Sequence, residues 1–316
     1  MLGDDMGENE HCCAPQRSEK SSSAVFEEQK IGAAHEDMVS LKGGDFLMGT
    51  NYQHGRDQDG EKPTLQARVS PFAIDRYAVT NSQYAAFVKS SGYTTDAEQV
   101  GWSFVFAGLL PDDFEDTRGV QGSPWWRQVF GACWKSPEGP QSSIDERMNH
   151  PAIHISWNDA VAYANWVGGR LPTEAEWEFS AQGGLENPIF PWGDELEPDG
   201  QHFMNIWQGS FPDKNLETDG WYGTAPVGSY PPNQYGLREM TGNVWEWCSD
   251  WFATDKKRGG GDPKGPVTGD AKVIKGGSYL CHASYCNRYR IAARSSTTTD
   301  SSMGHLGFRT VRDIEN

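Results

Sequence analysis

The sequence predicts an α+β domain with few helices, short strands and much irregular loop structure, and three observations carry that prediction. Glycine and proline are abundant, 36 and 18 of 316 residues, so the chain turns often. Helical periodicity is convincing in only three segments, and the remaining apolar runs are short and bounded by Gly, Pro or Asn. With 13 Trp and 12% aromatic residues, rings must fill much of the core.

Residues 1 to 36 are polar and include Ser21-Ser22-Ser23, so they are expected to form a flexible tail in which Cys12 and Cys13 are exposed, incidental thiols. Folded structure starts at Met38, where two apolar runs, Met38-Val39-Ser40-Leu41 and Phe46-Leu47-Met48, flank Gly43-Gly44 and read as a β-hairpin. Phe72 to Val79 reads as a further strand. Thr80-Asn81-Ser82-Gln83 has the form of a capping box and opens a first helix that stops at Gly92. A second helix begins at Ser156-Trp157-Asn158-Asp159, carries Ala160, Val161, Tyr163, Ala164 and Val167 on its apolar face, and stops at Gly168-Gly169. The third runs from Thr173-Glu174-Ala175-Glu176 to Gly183-Gly184. No internal repeat or second composition regime is visible, so residues 37 to 316 are expected to form one domain.

The net charge of −17 disfavours nucleic acid and anionic membrane surfaces as partners. No stretch approaches the ~20 apolar residues of a spanning helix, and Met1-Leu2-Gly3-Asp4-Asp5-Met6 lacks the basic and apolar parts of a signal peptide. A cytoplasmic monomer is the expectation. Six cysteines without a regular framework fit a reducing compartment.

The chemistry concentrates in Gly276 to Arg290, where Cys281 and Cys286 stand five positions apart. Two thiolates at fixed separation are a soft donor pair, but a closed zinc site needs four ligands and His282 is the only close imidazole. Three readings stay open on spacing alone: a low-coordinate soft metal, a redox pair, or inert buried thiols. Inert burial is then favoured.

The wider sequence changes that preference. Ile74 to Asn81, Gly101 to Phe106, His150 to Ala160, Gly169 to Glu178, Pro191-Trp192-Gly193, Asn205 to Gly209, Gly242 to Trp247 and Leu306 to Arg309, together with the cysteine segment, resemble the formylglycine-generating enzymes, or sulfatase-modifying factors. Most of these motifs mark a scaffold shared with noncatalytic and differently catalytic proteins. The Cys281/Cys286 pair is the part that marks the enzymes.

The resemblance implies a C-type-lectin-like fold and oxidation of the cysteine in a Cys-x-Pro/Ala-x-Arg segment of an unfolded sulfatase polypeptide to Cα-formylglycine. It implies O2 as co-substrate, Cu(I) held by Cys281 and Cys286, an external thiol or other reductant, and an oxygen pocket lined by Ser278 and Trp245. A mixed disulfide between Cys286 and the substrate is the alternative role for that thiol. Tyr285, Arg288 and Arg290 are read as supports of the loop or the substrate.

Two structural Ca2+ sites are also implied: Asn205, Ile206, Asp219 and Trp221 for the first, and Glu239, Gly242, Val244 and Glu246 for the second. Glu239 stands where asparagine is common in the family, and Ile291 and Thr310 stand where lumenal members carry cysteine. The competing reading is a noncatalytic peptide- or carbohydrate-binding protein on the same scaffold. An iron-dependent sulfoxide synthase would need a second domain, for which the chain before Met38 is too short.

Overall fold

The computed structural model describes residues 14–17, 37–255 and 259–314. Four helices are present among them: α1 (Asn81–Ser91), α2 (Asp96–Val100), α3 (Trp157–Trp166) and α4 (Glu174–Gln182). Each starts at a capping box, with Thr80/Gln83, Thr95/Glu98, Ser156/Asp159 and Thr173/Glu176 reciprocally satisfying the first free N–H groups. The sequence reading missed only the short α2.

The strands form several small sheets rather than one large one. The sheet that positions the site has the order Arg294–Thr297, Lys272–Lys275, Trp245–Trp251, Leu306–Gly307, and its last pair is parallel, with Trp245 opposite Leu306. A second sheet pairs Trp102–Phe106 with Ser123–Phe130 and delivers Trp125 and Trp126 towards it.

One expectation is corrected. Met38–Leu41 and Gly44–Met48 are not a hairpin: the first pairs with Phe72–Asp75, the second with Leu65–Val69. The Gly43-Gly44 turn instead passes over the end of Leu65–Val69, so closely that a Cβ on Gly43 would lie 2.2 Å from Val69 O. Within the 1–36 segment the structure describes 14–17, where Ala14 and Arg17 are 2% and 6% exposed against the domain. Cys12 and Cys13 lie outside the described residues.

Every residue of α4 is buried although four of its nine side chains are acidic or amide. Burial of such groups requires partners. Arg294 forks onto Glu174 at 2.7 and 2.8 Å, and Lys275 Nζ reaches Glu178 at 3.0 Å. Trp177 Nε1 donates to Glu246 at 2.8 Å, and Arg309 donates to both oxygens of Glu246 at 2.7 Å. This ionic layer fixes α4 to the strands that lead into the cysteine loop.

Candidate active site

The cysteine loop leaves strand Lys272–Lys275 through Gly276 and Gly277, both at positive φ. A Cβ on Gly277 would sit 2.9 Å from Arg288 O and from Tyr289 Cα, so glycine lets the two ends of the loop touch. Cys281 N–H donates to Ser278 O at 2.9 Å, and Trp207 N–H donates to Cys281 O at 3.1 Å. His282 O then accepts from the amides of Tyr285, Cys286 and Asn287 at 3.0, 3.0 and 3.2 Å. This return turn folds Cys286 back onto Cys281. Their sulfurs are 2.9 Å apart, and Cys286 and Cys281 are 0% and 2% exposed.

Two ion pairs hold the far end of the loop, one of them fully buried. Arg288 donates to Asp59 at 2.8 and 3.2 Å, and Arg290 forks onto Glu61 at 2.7 and 2.9 Å. The arginines are therefore matched by carboxylates and serve as anchors of the loop. Burial and the two neighbouring thiols raise the Tyr289 hydroxyl pKa, keeping it protonated.

Beside the pair lies a small recess lined by Ser278, Leu280, Cys281, Tyr285, Trp245, Trp125, Trp126, Phe211 and His305. The structure thus brings together Cys281, Cys286, Ser278 and Trp245. Sequence reasoning missed the opposite wall. There Phe211 stacks on Tyr285 at 4.3 Å, and Trp125 meets Tyr285 edge-on at 5.0 Å, closing an aromatic roof. The only local signal for it was the Trp125-Trp126 doublet.

The recess is supplied with donors. Two lining residues, Trp125 and Trp245, carry buried indole N–H groups without an acceptor among the described residues. Ser278 Oγ accepts from Leu280 N–H at 3.3 Å, which leaves its own hydrogen for a ligand. The arrangement suits a small acceptor molecule held against sulfur.

The donor set at the thiols fits a soft, low-coordinate cation. Among the described residues no three His, Cys, Asp or Glu side chains converge, and His282 Nδ1 is engaged with Ser284 Oγ at 2.7 Å. Tetrahedral zinc is therefore a poor match, whereas two thiolates suit Cu(I).

The two calcium sets differ. In the first, Asn205 Oδ1 is a buried acceptor with no donor, and burial raises the Asp219 pKa. Asp219 accepts from Ile206 N–H at 3.1 Å, Gln208 Nε2 at 3.1 Å and Trp221 N–H at 3.2 Å, and with no cationic side chain among the described residues bonded to it the cluster leaves a hard cation as the charge partner. The second set does not fit. Both oxygens of Glu246 are taken by Arg309, whose guanidinium already neutralises the carboxylate and would repel a second cation. Position matching could not show that Arg309 claims the carboxylate.

Residues 22–314 match the sulfatase-modifying factor enzyme 1-like domain. The chain belongs to the sulfatase-modifying factor family. It is 56% identical to a formylglycine-generating enzyme of Thermomonospora curvata over 87% of this chain and 93% of that one. A Streptomyces coelicolor formylglycine-generating enzyme is 55% identical, over 88% of this chain and 89% of its own. A Bos taurus relative named an inactive Cα-formylglycine-generating enzyme 2 is still 43% identical over 86% of this chain and 87% of its own. Family membership therefore fixes the scaffold, and the site itself must argue for activity. The fold agrees with that of PvdO from Pseudomonas aeruginosa, at a TM-score of 0.63, 25% identity and coverage of 94% of this chain and all of that one.

Proposed function

We propose that this sulfatase-modifying factor is a formylglycine-generating oxidase acting on the cysteine of a Cys-x-Pro/Ala-x-Arg segment in sulfatase polypeptides. One observation carries the reading: a buried thiol pair with sulfurs 2.9 Å apart beside a recess furnished with unused donors. A binding protein would need neither the thiols nor the orphaned indoles.

The reaction balances when the substrate thiol, dioxygen, two electrons and two protons give the aldehyde, hydrogen sulfide and a single water, with an external thiol supplying the electrons. Cu(I), when bound, supplies the one-electron chemistry that lets dioxygen react with a closed-shell thiol. Cys281 and Cys286 would hold that ion and present an open side to the substrate thiol. Ser278 Oγ–H and Trp245 Nε1–H can donate to oxygen atoms in the recess, where exclusion of water strengthens such hydrogen bonds. The aromatic roof of Trp125, Phe211 and Tyr285 excludes that water.

We assign Ca2+ to the Asn205/Asp219 cluster as a structural ion and assign none to the Glu239/Glu246 pair. A cytoplasmic, reducing location is part of the same reading, and the four described cysteines are free thiols. Incubation of copper-loaded protein with a peptide containing Leu-Cys-Thr-Pro-Ser-Arg, O2 and a thiol should convert the cysteine to an aldehyde. Binding of the peptide without conversion would favour the noncatalytic binder.

A further inference from the structure

Ala14–Arg17 lies before the matched family domain, which starts at residue 22, yet it is seated on that domain by a dense set of contacts. Arg17 Nη2 donates to Trp102 O and to Ser302 Oγ, both at 2.7 Å, and Nη1 donates to Asp300 O at 2.7 Å. The guanidinium lies over the Trp102 ring at 4.8 Å, and Asp96, Asp159 and Asp300 bear on it electrostatically. Arg17 N–H donates to Ser301 Oγ at 3.1 Å, and Thr297 Oγ1 donates to Pro15 O at 3.4 Å.

This seat adjoins the reactive recess. The loop that grips Arg17 continues from Ser302 through Met303 and Gly304 to His305, which lines the recess beside Cys281. Tyr279 Oη donates to Gly304 O at 3.0 Å, and Trp245 N–H donates to His305 O at 2.9 Å. Ala14 belongs to the same contiguous apolar cluster as Trp245, Cys281 and Cys286.

In sequence the segment is Cys13-Ala14-Pro15-Gln16-Arg17. It reproduces the Cys-x-Pro-x-Arg pattern assigned above to the substrate. We propose that Ala14–Arg17 occupies, in cis, the groove that receives the substrate polypeptide, with Arg17 in the seat of the substrate's arginine, so that the chain's own N-terminal segment competes with substrate. The inference rests on the substrate reading of the preceding section. A tether makes such competition effective: an occupant of ~0.1 mM intrinsic affinity held at an effective concentration of roughly 1 mM raises the apparent Kd of a rival peptide about tenfold.

The test uses the full chain and a fluorescent peptide containing Cys-Ala-Pro-Gln-Arg, with binding read by anisotropy. Arg17→Ala, which empties the seat, should bind the peptide about tenfold more tightly than the wild type. In turnover it should show a lowered KM for a substrate peptide at unchanged kcat. Equal affinity in the two proteins would overturn the proposal. Weaker binding together with a lowered unfolding midpoint would also overturn it, because Ala14–Arg17 would then be a strap that the fold requires. Should Arg17→Ala fail to fold, Arg17→Lys keeps the charge, loses the planar fork and gives the same comparison. Binding is read without turnover, so a tighter-binding Arg17→Ala variant that makes no aldehyde would leave this inference standing and remove only the activity reading.

Discussion

Replacing Arg290 by methionine should loosen the cysteine loop by removing one half of a fully enclosed ion pair. Arg290 and Glu61 have side-chain exposures of 3% and 0%, and two hydrogen bonds of 2.7 and 2.9 Å join them. The substitution keeps most of the volume but leaves the Glu61 carboxylate buried without its fork, a situation that costs about 3–5 kcal/mol. In a domain of this size each kcal/mol moves the thermal midpoint by roughly 2–4 °C, so a fall on the order of 10 °C is expected. Arg290→Met/Glu61→Leu removes both charges and should recover most of the loss, since an apolar pair of similar volume is about neutral in such a site. Urea and thermal unfolding followed by tryptophan fluorescence on both variants measure this. A loss below about 1 kcal/mol for Arg290→Met, the range of exposed pairs, would refute the claim that this pair anchors the loop. So would a double variant no more stable than the single one.

Gly277→Ala should disable the site without touching a thiol, because its Cβ would meet Arg288 O and Tyr289 Cα at 2.9 Å from a backbone at φ 73°; rates of Cys281/Cys286 disulfide formation report the misplaced loop. Stability should fall as pH rises from about 4 to 7. Burial raises Asp159 to about 7 and Asp250 to about 6, each worsened by a neighbouring carboxylate. Between the ordinary carboxyl range and those values the folded state holds protons that the unfolded state has released, so stability is lost across that interval and levels off above it; urea midpoints against pH should show this, with a flatter profile in Asp250→Asn. Calcium should raise the midpoint of the wild type, by ~2.7 kcal/mol of stability at a hundredfold excess over Kd. Asp219→Asn should abolish that rise and Glu239→Gln should leave it intact, as read by thermal unfolding with and without chelator.

Legibility followed the range of the interactions. The starts of α1, α3 and α4 could be read directly because Thr80, Ser156 and Thr173 each complete a capping box within four residues. Thr95 and Glu98 carry the same signal, but a helix of only five residues gives no periodicity to support it. Pairing was less readable: alternation marked Met38–Leu41 and Gly44–Met48 as strands, yet their partners are chosen by packing far along the chain. The reactive thiols were legible as a pair, since His282 O closes the turn locally. Their surroundings were not, because Trp125, Phe211 and His305 arrive from three distant segments. Polar composition also concealed the seat of Arg17, whose burial depends on carbonyls at Trp102 and Asp300 that no side-chain pattern displays.

The most direct test of the central claim is Cys286→Ser, with Cu(I) affinity and aldehyde formation on the Cys-x-Pro-x-Arg peptide measured on the same sample. Oxygen is a hard donor, and the variant leaves Cys281 as the sole sulfur at the site. Tight Cu(I) binding and aldehyde formation should disappear together while the fold is retained. Undiminished Cu(I) affinity with lost activity would contradict the two-thiolate site and move Cys286 to a mixed-disulfide role.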